Sequence, residues 1–186
     1  MKNVSPSAPG YVHINALEFV VVILQLVAIY VRLGPFQPGQ SCPYFPNGRP
    51  HIPVWLGETD SSVSRSWENR ATARTSQGQG LVSVYAELLR IACIHTMCDH
   101  LAGELNLVAD DISRNDFSLS FTGRLDQLTL KHPSLASFDY FQPSQELLQL
   151  LTSRLFSRHN PVPCVLPKVL GQFVPAGSTT SSTVTL

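Results

Sequence analysis

INALEFVVVILQLVAIYVRL, residues 14–33, is the most hydrophobic run in the chain, and it carries a glutamate near its start. Whether it crosses a bilayer or fills a core decides the fold. From Phe19 to Val31 there are 13 uncharged residues, short of the about 18–20 that span hydrocarbon. Extending the run meets Glu18 on one side and Arg32 on the other. Glu18, Gln25 and Arg32 recur every seven residues, a spacing that drifts only about 20° per step on a helix. They form a narrow polar stripe on an apolar rod, the pattern of a buried helix with one edge at a site or at water. The segment therefore predicts a core helix from Asn15 to Leu33, stopped by Gly34 and Pro35. Asn15 is its expected N-cap, with Glu18 at N3 as in a capping box. A single-pass anchor over 14–33 is the competing reading.

Composition works in the same direction. Thirteen basic and thirteen acidic residues cancel, so no bulk charge marks the chain for nucleic acid or anionic membrane. The charged fraction is 14% against 44% hydrophobic, where an average soluble domain carries about 25% charged residues. Such a surface calls for a covering partner. The first nine residues lack the pattern of a secretory leader, which predicts an intracellular protein of cytoplasm or nucleus. Cys42, Cys93, Cys98 and Cys164 are irregularly spaced and read as reduced thiols. Cys93, His95, Cys98 and His100 crowd into eight positions with no second cluster, unlike the separated ligand pairs of zinc sites.

Outward from the apolar run, residues 1–10 form a polar, flexible start and 34–51 a Pro/Gly-rich loop. IPVWLGETD predicts a short strand ending near Asp60. Residues 61–69 predict a short helix packing Val63 and Trp67. After a loop over 70–80, RATARTSQGQG, the segment LVSVYAELLRIA predicts a helix burying Leu81, Val84, Tyr85, Leu88, Leu89 and Ala92. CIHTMCD reads as a strand and LNLVADDISR as a short helix. Residues 115–141 show no clean period. Ser144 is the expected N-cap of an amphipathic helix over about 144–157, and the Ser/Thr-rich end, 171–186, is expected to be disordered. This divides the chain into 11–115, one domain, and 116–170, a linker or extension.

Three acids sit at junctions between these elements: Glu18 in the first turn of a helix, Asp60 at the end of a strand, and Asp110 in a short helix. Carboxylates gathered at one sheet edge suit hard divalent cations, which take oxygen ligands and leave positions for phosphate oxygens and water. Two such ions can activate a water and stabilise the leaving oxygen in phosphodiester hydrolysis.

HLAGELNLVADDISR, residues 100–114, resembles the H-x-x-G-x-x-N-x-x-A-D-x-x-S-R signature that closes the RNase H-like domain of retrotransposon reverse-transcriptase polyproteins. TDSSVSRSWENR, residues 59–70, is similar to their T-D-N-x-x-A-x-x-W-x-N-R segment, and HINALE, residues 13–18, to the H-I-N-x-L-E that opens the acid-bearing helix. The resemblance covers roughly residues 11–115. The helix after Pro143 and the segment at 170–172 resemble the region downstream of this domain in DIRS-like elements. The resemblance implies an α/β fold and a nuclease that cuts RNA in RNA–DNA hybrids with two Mg²⁺ or Mn²⁺ ions. It makes Glu18, Asp60 and Asp110 metal ligands and His100 a loop histidine near the scissile phosphate. Trp67, Asn69, Arg70 and Arg74 become candidate contacts to the hybrid.

The chain also departs from the family. The family's first catalytic Asp lies on a strand before the Glu-bearing helix, whereas residues 1–17 hold no Asp or Glu. Ser61 stands where the family has Asn. The resemblance thus implies an incomplete RNase H-like fold, mostly helical, with two or three short strands and the first three strands missing. One side of the Asp60 strand would then be unpaired, and the 14–33 helix partly uncovered. Such a chain is a truncated reading frame, or takes the lost part from the upstream reverse-transcriptase region in cis or in trans. Either way the isolated chain is expected to have weak or no nuclease activity. The alternatives are a non-catalytic interaction protein and the membrane-anchored protein.

Overall fold

A computed structural model of the chain describes residues 12–34, 54–59, 61–102, 107–113, 121–156 and 164–174. The 14–33 run is a single helix, α1 (Ile14–Leu33), one residue earlier than expected at its start. Its cap is His13, whose Nδ1 accepts the Asn15 N–H at 3.2 Å, and not Asn15. Glu18 therefore lies past the first turn, which holds no acid, and the capping-box role falls away. Gly34, at φ 72°, closes the helix by donating its N–H to the Tyr30 carbonyl. By length and composition α1 could cross a membrane, yet Ala16, Phe19, Ile23, Leu26 and Val27 form a buried stripe. The opposite stripe, with Ile14, Leu17 and Val21, is exposed.

The expected strands are β1 (Val54–Thr59) and β2 (His95–His100), joined by α2 (Ser62–Arg70) and α3 (Ser76–Ala92). The strands pair in parallel, from Val54 beside His95 to Thr59 beside His100, as the long helical crossover requires. Two expectations shift in phase. The α2 helix buries Ser64 and Glu68 while Val63 and Trp67 stay half-buried. Its register is fixed by the Ser61 N-cap, whose Oγ accepts the Ser64 N–H, and not by its sparse apolar residues. The α3 helix starts at Ser76, within the expected loop, because Thr75 caps it by accepting the Gly78 N–H. Five of the six predicted α3 positions are buried, and Leu89 is half-buried. Cys93 adopts a left-handed conformation, φ 53°, which ends α3 and delays β2 to His95.

Phe19 is the hub of the core. It meets Trp67 edge-on at 5.5 Å between ring centroids and Tyr85 at 5.4 Å, so it links α1 to both α2 and α3. Gly78 permits this approach: a Cβ there would stand 2.6 Å from the Ala73 Cβ and 2.9 Å from Trp67 Cη2. On its other side α3 packs α6 (Gln145–Phe156), which buries Leu147, Leu151 and Leu155 at four-residue spacing. A Cβ on Gly80 would come within 3.3 Å of the Arg154 carbonyl oxygen. Ser144 caps α6 as expected: its Oγ accepts the Leu147 N–H and donates to the Val169 carbonyl.

Through this packing α6 joins the core built by α1, α2 and α3. One compact unit comprises Met1–His100 and Pro143–Gln172, the other Leu101–Gln142 and Phe173–Leu186. The second unit contains α4 (Leu107–Ser113), the expected short helix, and, in the stretch where no period was legible, α5 (Phe121–Lys131) and a 3-10 helix, Pro133–Ser137. In it the Asp111 carboxylate takes Lys131 Nζ at 2.5 Å and His132 Nε2 at 2.7 Å, tying α4 to the end of α5. Two short strands, β3 (Tyr140–Pro143) and β4 (Gly171–Val174), pair as a separate ribbon. On it Phe141 and Phe173 meet with ring centroids 5.5 Å apart and planes tilted by 58°. The expected disordered tail thus begins with a strand, and its remainder, 175–186, lies outside the described residues. The architecture is α/β and mostly helical, with short strands.

Candidate functional site

In a parallel sheet the carboxyl ends of the strands lie at one edge, and ligands of α/β proteins bind outside that edge. Here Thr59 ends β1 and His100 ends β2 as direct neighbours. The turn into α2 is fixed on both flanks of residue 60. Thr59 Oγ1 accepts the Ser61 N–H at 3.1 Å, and Ser61 Oγ accepts the Ser64 N–H at 3.2 Å. Asp60 itself lies outside the described residues. His100 is the last residue of a strand, whereas a loop residue was expected; its side chain is exposed and its N–H is taken by Asp99 Oδ1 at 2.8 Å.

Glu18 reaches inward from α1. Its Oε2 is buried and has no hydrogen-bond partner, so one carboxylate oxygen is removed from water without compensation. That oxygen fits a cation ligand. Asp110 lies on α4 in the second unit. Among the described residues no three His, Cys, Asp or Glu side chains converge closely enough to hold a metal. The compact His/Cys string is explained by strand alternation. Thr96, Cys98 and His100 point to one face of β2, and His95, Met97 and Asp99 to the other.

The candidate hybrid contacts separate into two kinds. Trp67 is engaged with Phe19 in the core. Asn69 has its amide fully occupied: Nδ2 donates to the Cys98 carbonyl and Oδ1 accepts the Cys98 N–H, both at 2.9 Å. This side chain stands in for a neighbouring strand along the outer edge of β2, and Arg65 Nε donates to the same carbonyl at 3.4 Å. Arg70 and Arg74 are exposed and free to meet phosphate.

A buried polar cluster around Glu68 was not anticipated from the sequence. Glu68 is 5% exposed and faces the Cys98 thiol and the Tyr85 hydroxyl; Tyr85 in turn hydrogen-bonds Thr96 Oγ1. Gln25, Trp55 and Glu58 complete the wall of a cavity of about 10 Å³, room for one water. Burial pushes the Glu68 carboxyl upward. It also pushes up the Tyr85 phenol, and it raises the Cys98 thiol to about 12, with the neighbouring Glu68 adding to the rise. A thiol so raised is a poor nucleophile, so the cluster is structural. The available signal was Ser64 and Glu68 at i, i+4, polar residues on the face that the N-cap turns inward.

Comparison with family models, curated proteins and solved structures returns no significant match.

Proposed function

We propose that the chain is part of the RNase H-like domain of a DIRS-like retroelement polyprotein and does not cleave by itself. Its function in the complete domain is hydrolysis of RNA in RNA–DNA hybrids. The observation that carries this reading is the in-register end of the parallel pair, which sets Thr59 beside His100, two residues that belong to separate motif blocks of the resemblance. The buried, unpartnered Glu18 Oε2 supports it. On this reading Glu18, Asp60 and Asp110 are metal ligands, His100 stands near the scissile phosphate, and Arg70 and Arg74 hold the backbone of the hybrid. Two Mg²⁺ or Mn²⁺ ions held there would supply water activation and stabilisation of the leaving oxygen. With three carboxylates in place of four, the cation is held weakly and cleavage fails. Retention inside the cell, and completion by the reverse-transcriptase region in cis or in trans, belong to the same reading.

Fluorescence anisotropy and a cleavage assay on one labelled RNA–DNA hybrid test it together. The full chain is expected to bind the hybrid in a salt-sensitive manner, to lose affinity several-fold in Arg70→Ala/Arg74→Ala, and to leave the RNA intact in Mg²⁺ or Mn²⁺. No binding overturns the family reading. Robust cleavage abolished by Asp60→Asn overturns the claim of inactivity.

A further inference from the structure

The two edges of the β1–β2 pair are not alike. On the β2 side Asn69 occupies both main-chain groups of Cys98, so that edge is closed. Because Cys98 faces Asn69, the alternation of a parallel ladder turns the main-chain groups of Trp55, Gly57 and Thr59 toward β2. Those of Val54, Leu56 and Glu58 face the other way, where no strand pairs with β1 among the described residues. Parallel sheets are normally covered on both faces, and two strands alone are marginal. Val22 and Gln25 of α1 line the cavity shared with Trp55 and Gly57, and helical periodicity sets the exposed stripe of α1 next to Gln25.

We propose that two copies of this chain associate through β1, antiparallel about a two-fold axis, to form a four-stranded sheet in the order β2-β1-β1-β2. This goes beyond the nuclease reading and does not depend on it. Free groups at strand spacing call for another strand, and with the β2 edge closed, the strand edge that a second copy's β1–β2 pair can offer is β1 itself. A register centred on Leu56 sets Leu56 beside its own copy and lays each Trp55 over the opposite Gly57. It also places each Glu58 against Val54, so that no acid faces an acid. Leu56 is then a hydrogen-bonded pair, as its outward N–H and C=O require. Ile14, Leu17, Val21, Val54, Trp55 and Leu56 are 40–72% exposed. They offer on the order of 600 Å² per copy, and the doubled area reaches the about 1,200 Å² where stable interfaces begin.

Sedimentation velocity of the full chain tests the proposal. The expected species has twice the 20.5 kDa chain mass. Leu56→Pro is expected to give a monomer with unchanged helical circular dichroism, since its lost N–H faces the open edge; Met97→Lys, off the seam, is expected to remain dimeric. The register has its own readout. Leu56→Cys is expected to form a disulfide-linked dimer on mild oxidation, above the unsubstituted chain, because paired Cα atoms lie about 5.5 Å apart and within disulfide reach. Val54→Cys is expected not to, because its copy sits four residues along the strand. A monomeric or polydisperse wild type, or equal crosslinking at both positions, overturns the proposal.

Discussion

Glu68 shows how a single side chain couples charge to fold. It is buried beside a thiol and a phenol, and burial keeps its proton on to a higher pH than in the unfolded chain, where it titrates near 4.5. The neutral acid suits the folded state. Its stabilising contribution is therefore complete below that value and is lost as pH rises through the higher folded-state value. Denaturant melts between pH 4 and 8 are expected to show stability falling on this account, and Glu68→Gln is expected to flatten the fall. An unchanged profile in the variant would place the charge elsewhere. Cys98 gives a second check at this scale. With its thiol raised to about 12 and its side chain buried, alkylation at pH 8 is expected to mark exposed Cys93 first and to reach Cys98 only on unfolding. Equal labelling rates would contradict the cluster. Neither residue was singled out for this role in the sequence, because burial there is imposed by the phase of α2, which a local hydrophobic pattern does not reveal.

At the scale of elements, the helices and strands with a clear period were legible: α1, the second half of α3, and α6 with its Ser144 cap. The errors fell where packing outranks propensity. Gly78 and Gly80 read as loop, yet they lie inside α3 because Trp67, Ala73 and the Arg154 carbonyl crowd those positions. Gly78→Ala improves helix propensity by about 1 kcal/mol, but its Cβ meets Ala73 and Trp67 inside 3 Å. The expected net result in thermal denaturation is destabilisation by about 1–3 kcal/mol, the range of overpacked cores. Asn69 likewise read as a nucleic-acid contact because its backbone partners lie 29 residues away. Asn69→Ala is expected to cost about 1–3 kcal/mol through the unpaired Cys98 groups. Asn69→Asp should cost more, since it sets an oxygen against the Cys98 carbonyl; a neutral Asp variant would contradict the strand-like role. The α5 helix and the 3-10 helix escaped notice because the 115–141 stretch carries no strong apolar face.

For the whole molecule, the excess of apolar over charged residues has a location. Much of it is exposed on α1, β1 and Met97, around a strand pair in which, among the described residues, no further strand lies on the outer edge of β1. That a core helix should be hydrophobic nearly all round was legible in residues 14–33. The division into units was not, since it depends on α6 returning to α3 across more than fifty residues of chain. The central proposal is that Glu18 and Asp60 hold a divalent cation, and paramagnetic broadening of backbone amides by Mn²⁺ tests it directly. The account predicts that signals around Glu18 and Ser61 broaden together over one range of Mn²⁺ concentration and that Glu18→Gln weakens both. Broadening confined to the Asp110–Asp111 region, or unaffected by Glu18→Gln, would contradict it.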